Sequence, residues 1–341
     1  MKERIENLIR AVAPPGAVFQ VAVSERPSFG HYSTNIALRL SGAEKKSPLR
    51  AAEELAEKIR KHAPQDFFEK VEIAPPGFIN FLLSSETIQG ELREVLARGA
   101  RYGRGTEGKG KTVIVEYSQP NIAKRMHVGH LRTTVLGDGI ANLYEFLGYR
   151  VVRWNYFGDW GTQFGKLIAA YKLWGNEKAV RAKPIETLLD LYIRFHDEMK
   201  SNPELEDRGR EEFRKLEEGD RENRKLWEWF KKESLREFHA IYKRLGIKFD
   251  VEIGEAFFEK DMKPLVDELV QAGIALKSEG SLVIPLPGSD LPALIQKADG
   301  ASLYLTRDIA NLRYRIKKYK PEKIFYVVGN EQTLHFEQLF K

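Results

Sequence analysis

The strongest constraint on the fold is a strand–helix–strand unit in the middle of the chain. Thr112–Tyr117 (TVIVEY) is a β-branched run that reads as a strand, and a turn leads from it into a helix from about Val128 to Leu147. Arg150–Tyr156 (RVVRWNY) is a second strand, followed by a helix from about Thr162. Loops this short make the unit a βαβ with a right-handed crossover. The sheet is then parallel, and ligands bind beyond the carboxyl ends of its strands. Lys323–Val328 (KIFYVV) reads as another buried parallel strand, with Arg307–Tyr319 as the helix before it.

Upstream, Arg98–Lys111 (RGARYGRGTEGKGK) is glycine-rich, basic and without hydrophobic period, so it reads as a linker. The small α+β unit before it has a helix over residues 2–12 and a strand at Val18–Val23. A second helix at Pro48–His62 has Leu49, Ala52, Leu55, Ala56 and Ile59 at helical spacing, and Phe78–Leu83 is a strand after Pro75-Pro76-Gly77. The 341 residues suit about two domains, here 1–108 and 109–341. The second is interrupted by a helical insertion at about 176–245. From Asp197 to Arg236, 24 of 40 residues are charged, yet Trp227, Phe230, Ser234, Phe238 and Ile241 keep a three-to-four spacing, so one face packs. The mixed signs favour a solvated helical hairpin over a dedicated RNA surface.

The chain has no cysteine, which excludes disulfides, cysteine-ligated zinc, iron–sulfur clusters and a thiol nucleophile. With 42% hydrophobic and 30% charged residues it is a soluble globular sequence. It has no apolar run of membrane length and no secretory-type N-terminus, so a cytoplasmic protein without a membrane partner is expected. The net charge of +6 permits a polyanionic partner without requiring one.

The chemistry concentrates in Pro120–His130 (PNIAKRMHVGH), directly after the first parallel strand. His127 and His130 are three apart where the helix begins, so both imidazoles can face one anion at the positive end of the helix dipole. Gly129 removes a side chain where a flat base would need close backbone approach. Imidazole N–H groups aimed at phosphate oxygens stabilise charge that develops in an in-line displacement. By itself His-x-Gly-His is short. It leaves a nucleotide site, a metal pair and simple packed histidines open, although helical zinc motifs space their histidines by four.

In context, His127-Val128-Gly129-His130 resembles the HIGH signature of class I aminoacyl-tRNA synthetases, and its flanks are similar to the arginyl-tRNA synthetase family. Ser118–Lys124 (SQPNIAK) resembles that family's approach to the signature, Asn155–Gly165 (NYFGDWGTQFG) its next motif and Leu303–Asp308 (LYLTRD) a later one. Phe29–Asn35 (FGHYSTN) and Pro76–Phe81 (PGFINF) extend the resemblance over essentially the whole chain. It implies an α/β fold, a HIGH-type Rossmann-like parallel-sheet catalytic domain preceded by a small α+β domain that contacts tRNA.

The implied reaction is ATP-dependent activation of arginine to arginyl-adenylate, with tRNA bound, and transfer to the 3′ end of arginine tRNA. Magnesium accompanies the ATP, no tightly bound cofactor or protein-held metal is implied, and a monomer is expected. By resemblance His127, Gly129 and His130 bind ATP, and Lys124 reaches its phosphates as a point charge. Glu255, Asp308 and Tyr304 meet the arginine guanidinium, Asn121 and Gln332 its α-amino group, and Trp160 packs nearby. Tyr304 and Asp308 fall across an expected strand-to-helix change, and Asp308 could alternatively cap that helix. Glu252 lies close to Glu255 as a competitor. Phe78 and Asn80 would contact the tRNA by stacking and hydrogen bonding, or else belong to their own sheet.

Departures from the pattern also carry expectations. Gln119 stands where the family usually has a small hydroxyl residue, and His31 where an acidic one is common. The sequence reads as the N-terminal portion of a synthetase, without the KMSKS-like loop or anticodon-reading domain, so little or no aminoacylation is expected of it alone.

Overall fold

The structure, a computed structural model, describes residues 1–44, 46–289, 291–298 and 303–341, the side chains of residues 43 and 44 excepted. Two compact units divide the chain, residues 1–103 and 104–341. Among the described residues no helix is long and apolar enough to cross a membrane.

The first unit contains α1 (Lys2–Val12), β1 (Val21–Val23), β2 (Tyr32–Thr34), α2 (Ile36–Glu44), α3 (Pro48–His62), β3 (Phe68–Ala74), β4 (Phe78–Leu83) and α4 (Ser85–Arg98). Its sheet is antiparallel in the order β1-β2-β4-β3. α3 has the bounds expected of it. Ser47 caps it by accepting the Arg50 N–H, Pro48 opens its first turn, and Ala52, Leu55, Ala56 and Ile59 are buried. β1 is shorter than Val18–Val23 because the Gln20 N–H is already donated to the Asn35 carboxamide. α4 occupies the segment before the expected linker and runs to Arg98. It buries no residue, and Ile88, Leu92 and Leu96 are exposed. On β4, Phe78 is partly exposed, while Asn80 is buried opposite Ser33 and Glu72. His31 has a structural job, with its Nδ1 accepting the Leu83 N–H at 3.0 Å.

The second unit opens with β5 (Thr112–Glu116), α5 (Val128–Phe146), β6 (Arg150–Phe157) and α6 (Thr162–Trp174). The helical insertion follows as α7 (Glu177–Ala182), α8 (Pro184–Glu198), α9 (Glu204–Glu217) and α10 (Arg221–Leu245). The chain then continues through β7 (Val251–Gly254), α11 (Glu259–Gln271), β8 (Leu276–Ser278), β9 (Ser281–Ile284), β10 (Ala293–Gln296), α12 (Tyr304–Tyr319), β11 (Lys323–Tyr326) and α13 (Thr333–Phe340). The main sheet is parallel throughout in the order β11-β5-β6-β7, and β8–β10 form a small antiparallel sheet.

Successive residues of β5 enter different cores, as expected of a sheet covered on both faces. Val115 packs with α6 and the insertion, whereas Ile114 packs with Trp154, α11 and α12. The charged insertion packs through one apolar face that includes Trp227, Phe230 and Phe238, all buried.

Candidate active site

A cavity of about 580 Å³ opens at the carboxyl ends of β5, β6 and β11, where a parallel sheet places its ligands. The segment from β5 to α5 is held there in an irregular path, with Ser118, Gln119 and Ala123 at φ of 77°, 51° and 60°. Non-glycine residues in this region carry a conformational cost that surrounding contacts must offset, and the contacts are present. The Ile122 N–H donates to Gly158 O at 2.9 Å, and the Gly158 N–H donates to Pro120 O at 3.1 Å. The Ala123 N–H reaches Ser234 Oγ at 3.1 Å, and Ser118 Oγ pairs with Tyr242 Oη at 2.7 Å. Gly158 leaves room for the Asn121 side chain, since a Cβ there would fall 2.3 Å from Asn121 Oδ1 and the carboxamide would have to move.

At the start of α5 the two histidines cap the helix reciprocally. His127 Nδ1 accepts the Gly129 N–H at 3.1 Å, and His130 Nδ1 accepts the His127 N–H at 3.3 Å. Each Nδ1 is thereby committed as an acceptor, so the proton of a neutral ring sits on Nε2, the nitrogen left to donate outward. The rings lie 4.0 Å apart. Burial, and next the proximity of His127, push the His130 imidazole down to about 4, so it is neutral at pH 7. Gly129 has a second reason to be glycine, because a Cβ would meet the capping ring of His127 at 2.9–3.0 Å.

Carboxylates gather from the other strand ends. Glu255 begins the 3-10 turn after β7, and Asp308 sits one turn along α12 from Tyr304; all three line the cavity. Tyr304 and Asp308 therefore share one helix, with no strand-to-helix change between them. Leu303 occupies the N-cap, so Asp308 is not the cap. Burial first, then the charges of Asp308 and Asp159, push the Glu255 carboxyl up to about 7 against the opposing pull of Arg307. Glu252, the sequence competitor, is engaged elsewhere, with His239 at 2.8 Å and the Asn155 amide at 3.2 Å.

At the end of β5, Glu116 lines the cavity and accepts from both Arg315 and Gln119; the Arg315 guanidinium lies 4.4 Å from the Trp154 ring centroid.

The structure thus gathers Asn121, His127, Gly129, His130, Glu255, Tyr304, Asp308 and Gln332 around one cavity. Two of the arginine- and ATP-site candidates lie outside its lining. Trp160 is 3% exposed, edge-on to Phe213 and Trp227, with its large apolar surface spent on joining its loop to the insertion. Lys124 is exposed beside a small crevice, its ammonium 5.9 Å from the Tyr192 ring centroid. Phe78 and Asn80 belong to the first unit.

Sequence reasoning did not single out Glu116, Tyr156, Asp159 or His335. Asp159 is buried and accepts the Ala256 N–H at 2.9 Å, which anchors the backbone next to Glu255. The available signal was its position inside NYFGDWG.

Comparison with known proteins decides the family. A model described as tRNA synthetases class I (R), catalytic domain, matches residues 91–341, and one for the arginyl tRNA synthetase N terminal domain matches residues 1–83. The chain belongs to the arginyl-tRNA synthetase family. An arginine–tRNA ligase of Clostridium perfringens is 46% identical over 94% of this chain and 56% of its own length. One of Levilactobacillus brevis is 48% identical over 86% of this chain and 52% of its own length. The crystal structure of arginyl-tRNA synthetase from Plasmodium falciparum superposes with a TM-score of 0.75 at 28% identity, covering 99% of this chain and 60% of that one. The chain therefore spans about half the length of the curated relatives it matches.

Proposed function

We propose that this chain carries the arginine- and ATP-binding portion of an arginine–tRNA ligase. The observation that supports this most directly is the pair Glu255 and Asp308 in one cavity, with Glu255 held up to about 7 by burial. A carboxylate in that state gains most from a bound cation, and a guanidinium offers five N–H donors in a fixed fork.

In this reading Glu255 and Asp308 hold the guanidinium with Tyr304 beside them, and Asn121 and Gln332 take the α-amino group. The neutral His130 and its capping partner His127 turn their Nε2 atoms to the phosphates of ATP, and Gly129 admits the adenine. The arginine carboxylate attacks the α-phosphorus, the bond to the β-phosphate oxygen breaks, and pyrophosphate leaves. A ribose hydroxyl at the tRNA 3′ end then takes the arginyl group and releases AMP. Positioning and charge stabilisation supply the rate, so no covalent nucleophile from the protein is needed. Magnesium belongs here to the nucleotide substrate. Phe78 keeps the tRNA-stacking role, supported by its exposure, and Asn80 would have to act from a buried position. Lys124 and Trp160, outside the cavity, are given no part. A cysteine-free chain suits a reducing cytoplasm, and we take it as a monomer there, which light scattering checks.

Isothermal titration of arginine into this chain tests the reading, with lysine and citrulline as controls and Asp308→Asn alongside. Saturable binding that citrulline does not reproduce and the variant loses is the expected result. A folded chain that binds arginine and citrulline equally, or neither, overturns it.

A further inference from the structure

We propose that His335 is a positioning residue for arginine recognition, holding Asp308 and Tyr304 in the arrangement that receives the guanidinium. The inference rests on the arginine-site reading above and adds a residue that reading does not use. His335 enters from α13 and is 7% exposed. Its Nε2 lies 2.6 Å from Asp308 Oδ2, and its ring centroid lies 4.6 Å from that of Tyr304.

Asp308 accepts only, whether from His335 or from a substrate, so the shared hydrogen must sit on the imidazole Nε2. That bond occupies Oδ2 and leaves Oδ1 for a cation. Tyr304 is 54% exposed, so its ring is free to turn on the solvent side, and the His335 ring supplies a face against which it rests. One imidazole thus restrains both members of the pair. Phe336 packs edge-on to the same ring at 5.0 Å, which fixes the imidazole in turn. Among the described residues, His335 Nδ1 is buried without a hydrogen-bond partner, a cost borne by the fold at a position where a phenylalanine would fill the same space. Retention of the imidazole there is explained by the Nε2–H bond to Asp308.

The test is the affinity of the folded chain for arginine and, separately, for ATP in three variants. His335→Phe keeps the ring and removes the donor. In His335→Gln the side-chain amide reaches the Nε2 position, and in His335→Asn it stops near Nδ1. Loss of a hydrogen bond to a charged group corresponds to roughly a tenfold or greater change in affinity. Arginine binding is therefore expected to fall about tenfold or more in His335→Phe and His335→Asn, and to stay within about threefold of the unaltered chain in His335→Gln. ATP affinity is expected to stay unchanged in all three. Should His335→Phe not fold, the Gln–Asn pair, one methylene apart, decides alone. Arginine affinity unaltered in His335→Phe and His335→Asn overturns the proposal, as does a parallel fall in arginine and ATP affinity that glutamine does not rescue. An unaltered chain that binds no arginine overturns the arginine-site reading itself, and this inference with it.

Discussion

Glu212 in the helical insertion and Glu255 in the cavity are both carboxylates removed from water, and they end in opposite states. Glu212 meets Lys172 at 2.7 Å, the Asn223 amide at 2.8 Å and Lys215 at 3.2 Å. Burial alone would raise its pKa, but the hydrogen bonds from Lys172, Asn223 and Lys215 more than reverse this and hold it below the usual range. Among the described residues Glu255 has no such shell, Arg307 only partly offsets its burial, and it rises to about 7. A buried carboxylate surrounded by matched donors is finished as structure. One left short of donors is finished by a ligand, and a cavity lies beside it.

The largest expected effect comes from neutralising the unmatched member. Glu255→Gln is expected to weaken arginine binding by about 2–5 kcal/mol, read by calorimetry, because one half of a desolvated charge pair is removed. Full-strength binding in that variant would break the comparison.

Next comes the matched member. Glu212→Gln leaves the partly buried Lys172 with the exposed Glu222, at 3.4 Å, in place of its buried partner, and is expected to cost about 2–3 kcal/mol of stability in urea denaturation. Glu255→Gln is expected instead to stabilise the free chain by on the order of 1 kcal/mol at pH 8. The signs follow from the shifts. A carboxyl raised in the folded state favours folding below its unfolded value near 4.5, and that contribution is lost as pH rises through about 7. Glu212, lowered in the folded state, contributes above 4.5 and loses that contribution as pH falls through its folded value.

The same linkage makes arginine affinity depend on pH. Binding requires Glu255 to give up its proton, so affinity is expected to fall toward tenfold per unit below about pH 7 and to level off above it. Titrations between pH 5.5 and 8.5 check this, and a flat profile would dissociate Glu255 from the ligand. The smallest effect is at the start of α5. His127→Ala removes the cap of α5 and is expected to cost about 1 kcal/mol of stability in the same urea assay.

Local grammar made much of the fold legible. The β-branched run at Thr112 became β5, the proline-led amphipathic pattern became α3 within its expected bounds, and the His127 helix began at Val128. Elements without a period were not legible. In β3 (FEKVEIA) the adjacent Glu69 and Lys70 break the alternation and only Val71 is buried, and α4 buries nothing, so neither shows the pattern of a covered face. Of the candidate site residues, Asn121, His127, Gly129, His130, Glu255, Tyr304, Asp308 and Gln332 reached the cavity. Trp160 did not, because a large indole in a loop is claimed first by the nearest apolar surface, here Phe213 and Trp227. His335 was missed because a lone histidine in a short helix looks like any other polar residue until its partner 27 positions away is placed beside it.

By itself the sequence determined the parallel-sheet architecture and the family through its ordered motifs, because strand, helix and turn chemistry act over a few residues. Only the tertiary structure decided which carboxylates are answered and which are left waiting. Asp308 and Glu255 acquire their surroundings from neighbours brought together by β7, α12 and α13, and solvation in a cavity is a property of that assembled surface rather than of any local stretch of chain.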